Sequence, residues 1–166
     1  NLIKVDEITS PQEHAIGSIV PFISFYLPHA KIVPIILSPN MEQNQAKILA
    51  EKLSSYISSE TVLVSSVDFS HYLRGSEAVK KDEVTLEVME DFNYPKLYTM
   101  NSDYLDSYNS IAVLLMAMSN KGLHDFTVLA HTNSSEILKD PSVETTSYFE
   151  IIFKADKPRK FLPFNF

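Results

Sequence analysis

The chain has 166 residues and a net charge of −7, from 14 basic and 21 acidic side chains. With 45% hydrophobic and 21% charged residues, it has the composition of a globular domain long enough to bury a core. The acidic balance argues against nucleic acid as a partner. No apolar run reaches the roughly 18 residues that cross a bilayer, so we expect no membrane partner either.

Two residue counts exclude further classes of function. The three glycines, Gly17, Gly75 and Gly122, are isolated, so no Gly-rich loop can cradle a nucleotide phosphate. The absence of cysteine excludes disulfides, thiolate zinc sites and cysteine nucleophiles. The first seven residues lack the basic start and apolar stretch of a secretion signal, and we therefore expect a cytoplasmic protein.

The first part of the chain predicts a helix followed by a strand. Residues 13–26 are largely apolar, and Pro21 should kink this helix or end it early. Residues 31–37 form a β-branched run typical of a short buried strand, in which Pro34 indicates an edge or a bulge.

The middle of the chain repeats this alternation. Asn40 followed by Gln43 resembles a capping box and predicts a helix start. Residues 61–67 carry no charge, which predicts a central strand covered on both faces. Residues 77–92 predict a helix with an apolar stripe.

The last third predicts a helix from about residue 109 to 118 and strands at 126–131 and 145–155. The basic cluster at 154–160 is typical of a solvated end. Strands separated by helices indicate an α/β layered domain, a mostly central sheet flanked by helices. Sites in such sheets follow the carboxyl ends of the strands, which directs attention to the residues after Val67.

Those residues include Asp68 and His71, with Ser66 and Ser70 beside them. Histidine titrates near neutral pH and suits acid–base chemistry, and a nearby carboxylate can orient it or join it at a metal. The alternative is that Asp68 caps a turn and His71 is an ordinary loop histidine.

Two other polar features have equally simple alternatives. Glu13 and His14 open the first predicted helix, where a glutamate suits the helix dipole. Asp106 precedes an apolar helix, where it can act as an N-cap or as a metal ligand. We expect structural roles for the remaining histidines, His29, His124 and His131, although the polar neighbours of His131 would also suit a pocket.

Several segments together resemble one known family. They are residues 13–16 with 20–22, 32–35, 64–72, 111–115, and 134–148. In order and spacing they are similar to the EHS-I, IIPVLVG, VVSS-DFSHYG and SS…D…SYA motifs of the Memo-like family, called AmmeMemoRadiSam system protein B in prokaryotes. That family resembles class III extradiol dioxygenases, which hold non-haem Fe(II) with two histidines and one carboxylate.

The resemblance implies an extradiol-dioxygenase-like fold and a pocket around three side chains. His71 takes the acid–base position with Asp68 beside it. Asp106 lies at the position where the family usually carries a cysteine and where the dioxygenases carry a metal-binding glutamate. The resemblance therefore implies that Asp106 is a ligand for Fe(II) or another divalent metal. Glu13, His14, Ser66 and Ser70 are the implied substrate-binding residues.

The two histidine motifs of the family's N-terminal half are absent from this chain. We therefore expect residues 1–166 to be one domain, the C-terminal portion of a longer protein. Its expected partner is the missing N-terminal half or a second copy. A non-catalytic module that binds a peptide or a small molecule is the alternative to a dioxygenase-like enzyme, and an inactive structural fragment is a third option.

Overall fold

The computed structural model describes residues 4–5 and 13–154. The helices are α1 (His14–Tyr26), α2 (Gln43–Ser54), α3 (Gly75–Glu90), α4 (Tyr94–Leu97), α5 (Tyr108–Ser119) and α6 (Ser134–Leu138). The strands are β1 (Leu73–Arg74), β2 (Phe126–Asn133), β3 (Glu144–Thr145) and β4 (Ser147–Phe153). Of the segments with sequence-based expectations, residues 1–3 and 6–7 and the basic cluster beyond Lys154 lie outside the described residues.

The α/β class is confirmed, since helices alternate with two small antiparallel sheets. β2 and β4 pair from Phe126 opposite Phe153 to Asn133 opposite Ser147, and β1 pairs with β3. The β2–β4 ladder places alternate side chains, including Phe149 and Ile151, against the core. The predictions of strands at 126–131 and 145–155 are therefore confirmed, the second in two pieces.

The strands expected at 31–37 and 61–67 are not present in the described structure. Both segments are unassigned to any strand, and the side chains of Val33 and Val64 are 79% and 58% exposed. A β-branched run favours the extended backbone, but a strand exists only where another strand accepts its hydrogen bonds. The prediction of a covered central strand at 61–67 is wrong for this reason.

Helix α5 lies at the centre of the fold because it is apolar on nearly every side. Ile111 and Leu115 belong to one core cluster, together with residues of α3, α4 and the loop at Phe69. Val113 and Ala117 belong to a second cluster that α5 shares with α2. One helix therefore holds both halves of the core together.

The helix predictions are largely confirmed, with differences at the ends. α2 begins after Glu42 rather than Asn40, and the backbone N–H of Glu42 donates to Oε1 of Gln45 over 3.0 Å. α1 continues through Pro21 and does not end early. The short helices α4 and α6 carry too few residues for a periodic signal.

None of the helices in the described ranges has the length and apolarity needed to cross a membrane.

Candidate functional site

The main chain brings Asp68 and Asp106 side by side. The N–H of Asp106 donates to the carbonyl of Asp68 over 3.0 Å, and the adjacent pair, Phe69 and Leu105, forms an isolated antiparallel bridge. Phe69 and Leu105 are 4% and 1% exposed, and both belong to the core. Two buried apolar side chains therefore anchor the two segments that carry the acids.

The loop that carries His71 is held beside Asp68 and Asp106 by contacts with β4 and Thr146. The N–H of Phe69 donates to the carbonyl of Ser147, and the N–H of Ser147 donates to the carbonyl of Ser70, each over 3.0 Å. These bonds fix the loop before His71 along β4. Nδ1 of His71 lies 3.3 Å from Oγ1 of Thr146, which limits how the imidazole can turn.

The three predicted side chains converge. One ligand atom from each of Asp68, His71 and Asp106 can be chosen so that all three lie within 4.8 Å of one another. Nε2 of His71 is 4.0 Å from Oδ2 of Asp106. That nitrogen is buried and makes no hydrogen bond in the described part of the chain. The cluster presents two carboxylates and one imidazole nitrogen, a donor set that suits a divalent metal.

Asp106 is free for this role because another residue caps α5. The side chain of Ser107 accepts from the N–H of Ser110, so Ser107 is the N-cap. Of the two alternatives for Asp106, the N-cap role is therefore wrong. Its carboxylate, 44% exposed, faces His71, whose side chain is 12% exposed.

The local electrostatics oppose an ionised Asp106. Burial raises the pKa of Asp106 above its ordinary value, and the nearby charge of Asp68 raises it further. His71 and His14 act in the opposite direction. Burial, followed by the charge of Asp68, also raises the pKa of Tyr148. Crowded negative charge of this kind is relieved by a proton or by a cation.

A cavity of about 240 Å³ adjoins the cluster through Asp106. Its lining combines apolar and polar side chains from two regions: Leu37, Pro39, Asp106, Ser107, Tyr108 and Asn109. The amide nitrogen of Asn109 donates to the carbonyl of Ser38 over 3.1 Å, which ties this loop to α5. The cavity therefore has a fixed wall beside the three-residue cluster.

The two predicted serines have other partners. The hydroxyl of Ser70 is fully buried and donates to Oδ1 of Asp82 over 2.7 Å, so it does not face the cluster. The hydroxyl of Ser66 donates to the carbonyl of Ala15 over 2.8 Å and ties α1 to the segment before Asp68. Both serines hold the site in place, and no contact of either with the cavity is observed among the described residues.

Glu13 and His14 lie at the start of α1. The carboxylate of Glu13 caps the helix by accepting from the N–H of Ile16 over 3.0 Å. His14 is 86% exposed, with Nδ1 3.5 Å from Oε1 of Glu13. Since His14 influences the pKa of Asp106, the start of α1 is close enough to the cluster to affect it.

Sequence reasoning missed Asp82 and Thr146. Asp82 lies within a charged helical stretch, and only its 0% exposure distinguishes it from its neighbours. Thr146 follows the strand pair without any motif of its own. Of the remaining histidines, His131 bonds to Asp82, the ring of His124 lies 5.8 Å from that of Phe92, and His29 lies on the surface.

The fold and the cluster together define a mixed α/β protein with a candidate metal pocket on its surface. The Memo-like protein family model matches residues 1–151, and the chain belongs to that family. A MEMO1 family protein of Pyrobaculum aerophilum is 31% identical over 152 residues, covering 86% of this chain and 52% of the relative.

Other relatives give the same picture. A MEMO1 family protein of Thermotoga neapolitana is 28% identical, covering 89% of this chain and 53% of its own length. One of Methanococcus maripaludis is 24% identical, covering 93% of this chain and 57% of its own length. The chain therefore spans about half the length of the curated relatives it matches.

Proposed function

We propose that this chain supplies part of a divalent-metal pocket in which Asp68, His71 and Asp106 face the ion. The observation that carries the proposal is Nε2 of His71, which is buried, makes no hydrogen bond among the described residues and lies 4.0 Å from Oδ2 of Asp106. A buried nitrogen without a partner is costly, and an ion at this point satisfies it.

The contact with Thr146 supports the same conclusion. When Nδ1 of His71 donates its proton to Oγ1 of Thr146, Nε2 presents a lone pair toward two carboxylates. Such an arrangement is repulsive until a cation or a proton lies between the groups. Asp68 and Asp106 would supply oxygen donors, and His71 would supply a nitrogen donor or hold the proton beside the ion.

The resemblance to class III extradiol dioxygenases makes Fe(II) the first ion to test, with Mn(II) and Zn(II) as alternatives. A bound ion of this kind polarises oxygen ligands and, for Fe(II), supports oxygen chemistry. In this chain His71 can transfer a proton at Nε2, and the adjoining cavity can hold a small molecule against Asp106.

The test is metal binding by the natural protein and by single variants, measured by titration calorimetry and by metal analysis after gel filtration. Asp106→Asn and His71→Gln should each weaken binding at least tenfold. The matched controls are Asp140→Asn and His29→Gln, which change the same residue types at exposed positions. Unchanged binding in all four variants would remove the proposal. Loss with Asp106→Asn but not His71→Gln would leave His71 the acid–base role.

The cavity favours a second candidate function, the binding of a small molecule without catalysis. Its 240 Å³ and its mixed lining accommodate a compact polar ligand. A thermal-shift screen in the presence of EDTA tests this function separately. A ligand that raises the melting temperature of the wild type and of His71→Gln equally would support binding without a metal.

A further inference from the structure

The chain around the start of β4 sends successive side chains to opposite faces. Ser147 is fully buried, and its hydroxyl donates to Oδ1 of Asp82 over 2.7 Å. Alternate residues of an extended chain share a face, so Thr146 and Tyr148 lie on the face directed away from Asp82. Oγ1 of Thr146 is 3.3 Å from Nδ1 of His71. This second face therefore carries two hydroxyls beside the three-residue cluster.

The main chain fixes the position of Thr146. Its N–H donates to Oγ of Ser134, and its carbonyl accepts from the N–H of Ser134, each over 3.0 Å. The N–H of Ser147, the next residue, donates to the carbonyl of Ser70, which directly precedes His71. Thr146 and His71 therefore lie on two stretches of backbone that are bonded together. The character of their side-chain contact depends on the direction of one hydroxyl proton.

The direction of that proton follows from the surroundings of Tyr148. Burial and the charge of Asp68 raise the pKa of Tyr148, and a hydrogen bond with the side chain of Thr146 acts in the opposite direction. A hydrogen bond lowers the pKa of a phenol when the phenolic oxygen accepts it, because the bond then stabilises the charged form. The hydroxyl of Thr146 is therefore the donor to Tyr148.

The contact between Thr146 and His71 then has one possible direction. A threonine hydroxyl has one proton and two lone pairs. Since the proton is given to Tyr148, Oγ1 can only accept from His71, and Nδ1 must carry the hydrogen. In a neutral imidazole the other nitrogen, Nε2, then keeps its lone pair. Nε2 is the buried atom that lies 4.0 Å from Oδ2 of Asp106 and has no hydrogen-bond partner among the described residues.

The two distances at the imidazole agree with this assignment. Nε2 and Oδ2 of Asp106 are too far apart for a hydrogen bond, whereas Nδ1 and Oγ1 of Thr146 are within reach of one another. A hydrogen on Nε2 would therefore lack an acceptor, while a hydrogen on Nδ1 has one. The side chain of His71 is only 12% exposed, so water has little access to either nitrogen.

We propose that Thr146 and Tyr148 are positioning residues that hold His71 in its Nδ1–H tautomer, with Tyr148 acting through Thr146. The inference rests on the proposed function, since it explains which nitrogen of His71 is available to a divalent cation. A metal ion binds the unprotonated nitrogen of an imidazole, and the hydrogen bond made by the other nitrogen selects it. In the opposite tautomer, the hydrogen on Nε2 would point toward Asp106 and occupy the place of the ion.

The test is nitrogen-15 NMR of His71 in the natural protein that contains this chain, recorded without metal at a mildly alkaline pH. Long-range proton–nitrogen correlations show which ring nitrogen carries the hydrogen. We expect Nδ1–H in the wild type and in Thr146→Ser, which keeps the hydroxyl. Thr146→Val should convert His71 to the Nε2–H tautomer. Tyr148→Phe should give a mixture, because the hydroxyl of Thr146 is then free to donate to Nδ1.

The matched controls are Thr127→Val and Tyr72→Phe. Thr127 is an exposed threonine of β2, and Tyr72 is 75% exposed with its ring centroid 5.4 Å from that of His71. Both controls should leave the tautomer unchanged, since neither removes the contact with Thr146. Nε2–H in the wild type, an unchanged tautomer in Thr146→Val, or equal changes in the controls would each overturn the proposal.

Titration with Zn(II) connects the tautomer to the pocket. Because only molecules with a free Nε2 bind the ion through His71, an equal mixture of tautomers in Tyr148→Phe should weaken binding about twofold. Thr146→Val should weaken it roughly tenfold, and Thr146→Ser should restore it. Wild-type affinity in Thr146→Val would overturn the role of Thr146 at the ion. The NMR measurement needs no metal, so the expected tautomers without any Zn(II) binding would support the proposal and remove the proposed function.

Discussion

The carboxylate of Asp82 lies 2.8 Å from Nε2 of His131 and is 0% exposed. Its other oxygen accepts hydrogen bonds of 2.7 Å from the hydroxyls of Ser70 and Ser147. The ring of His131 stacks on Phe149 at 4.2 Å between centroids. One buried side chain of α3 therefore ties together β2, β4 and the loop that carries the candidate metal site.

The first prediction concerns Asp82 itself. Asp82→Ala should lower the free energy of unfolding by about 3–5 kcal/mol, because it leaves three buried or half-buried groups without their acceptor. Urea unfolding followed by circular dichroism measures the loss. Glu83→Ala, at the exposed neighbouring position on α3, should have little effect. Similar losses for the two variants would contradict the role assigned to Asp82.

The second prediction concerns Asp106 in metal-free protein. Since burial and the charge of Asp68 raise its pKa, the folded state favours the protonated form. The stability that this preference provides is complete below the ordinary carboxyl pKa and disappears as the pH rises through the raised value. Asp106→Asn should therefore raise the melting temperature at pH 7 in EDTA, and the gain should vanish in acid.

Asp140 is the control, because its pKa is shifted in the direction opposite to that of Asp106. Hydrogen bonds from the side chain and the backbone N–H of Ser142 lower the pKa of Asp140. Its ionised form is favoured in the folded state, so Asp140→Asn should not raise the melting temperature at pH 7. A gain in both variants would show that general charge repulsion, rather than the local cluster, accounts for the effect of Asp106.

The third prediction concerns the start of α5. Ser107→Ala should destabilise the protein by about 1 kcal/mol, because the N–H of Ser110 loses its capping acceptor. Ser119→Ala, at the last residue of the same helix, is the matched control. Thermal unfolding measures both changes. A smaller loss for Ser107 than for Ser119 would indicate that another group caps α5.

The fourth prediction concerns Tyr98, whose hydroxyl is buried and has no hydrogen-bond partner in the described ranges. Its ring packs edge-on against Tyr108, with centroids 5.6 Å apart, and Tyr98→Phe keeps that contact. The substitution should leave stability unchanged or raise it by up to about 1 kcal/mol, because an unsatisfied polar group is removed.

The dependence of stability on pH in the alkaline range provides a second check on Tyr98. Burial, followed by the charge of Tyr108, raises the pKa of Tyr98, so the folded state favours the neutral phenol. Stability should fall as the pH rises through the tyrosine range, and less steeply in Tyr98→Phe. Tyr56→Phe, which alters a 60% exposed ring, is the control. A lower melting temperature for Tyr98→Phe at neutral pH would count against this account.

Much of the local structure could be predicted from sequence. An apolar stripe located α3, a long apolar run located α5, and the alternation of apolar and polar residues located β4. The ends were less predictable. Asn40 is a residue type favoured at an N-cap, yet α2 begins after Glu42, whose backbone N–H donates to the side chain of Gln45.

The candidate site was also only partly predictable from the sequence. The spacing of Asp68 and His71 after an apolar run pointed to a pocket. Asp106 stood as either an N-cap or a metal ligand, and the resemblance to the Memo-like family favoured the ligand. Ser70 is one of the implied substrate-binding residues, but adjacent loop residues can point in opposite directions, so the sequence does not fix where its hydroxyl faces. Only the packing of α3 beneath the loop shows that its hydroxyl faces Asp82 rather than the cluster.

The sequence by itself determined the mixed α/β class, most of the helices and the three polar residues of the candidate site, because these depend on local periodicity and on residue chemistry. The tertiary structure alone decided which groups face one another. It brought Asp106 to His71 across 35 residues of chain and buried Asp82 on its three partners. Within the described ranges, it left residues 31–37 and 61–67 without a neighbouring strand. A strand needs a second chain segment to pair with, and no local pattern specifies where that segment lies.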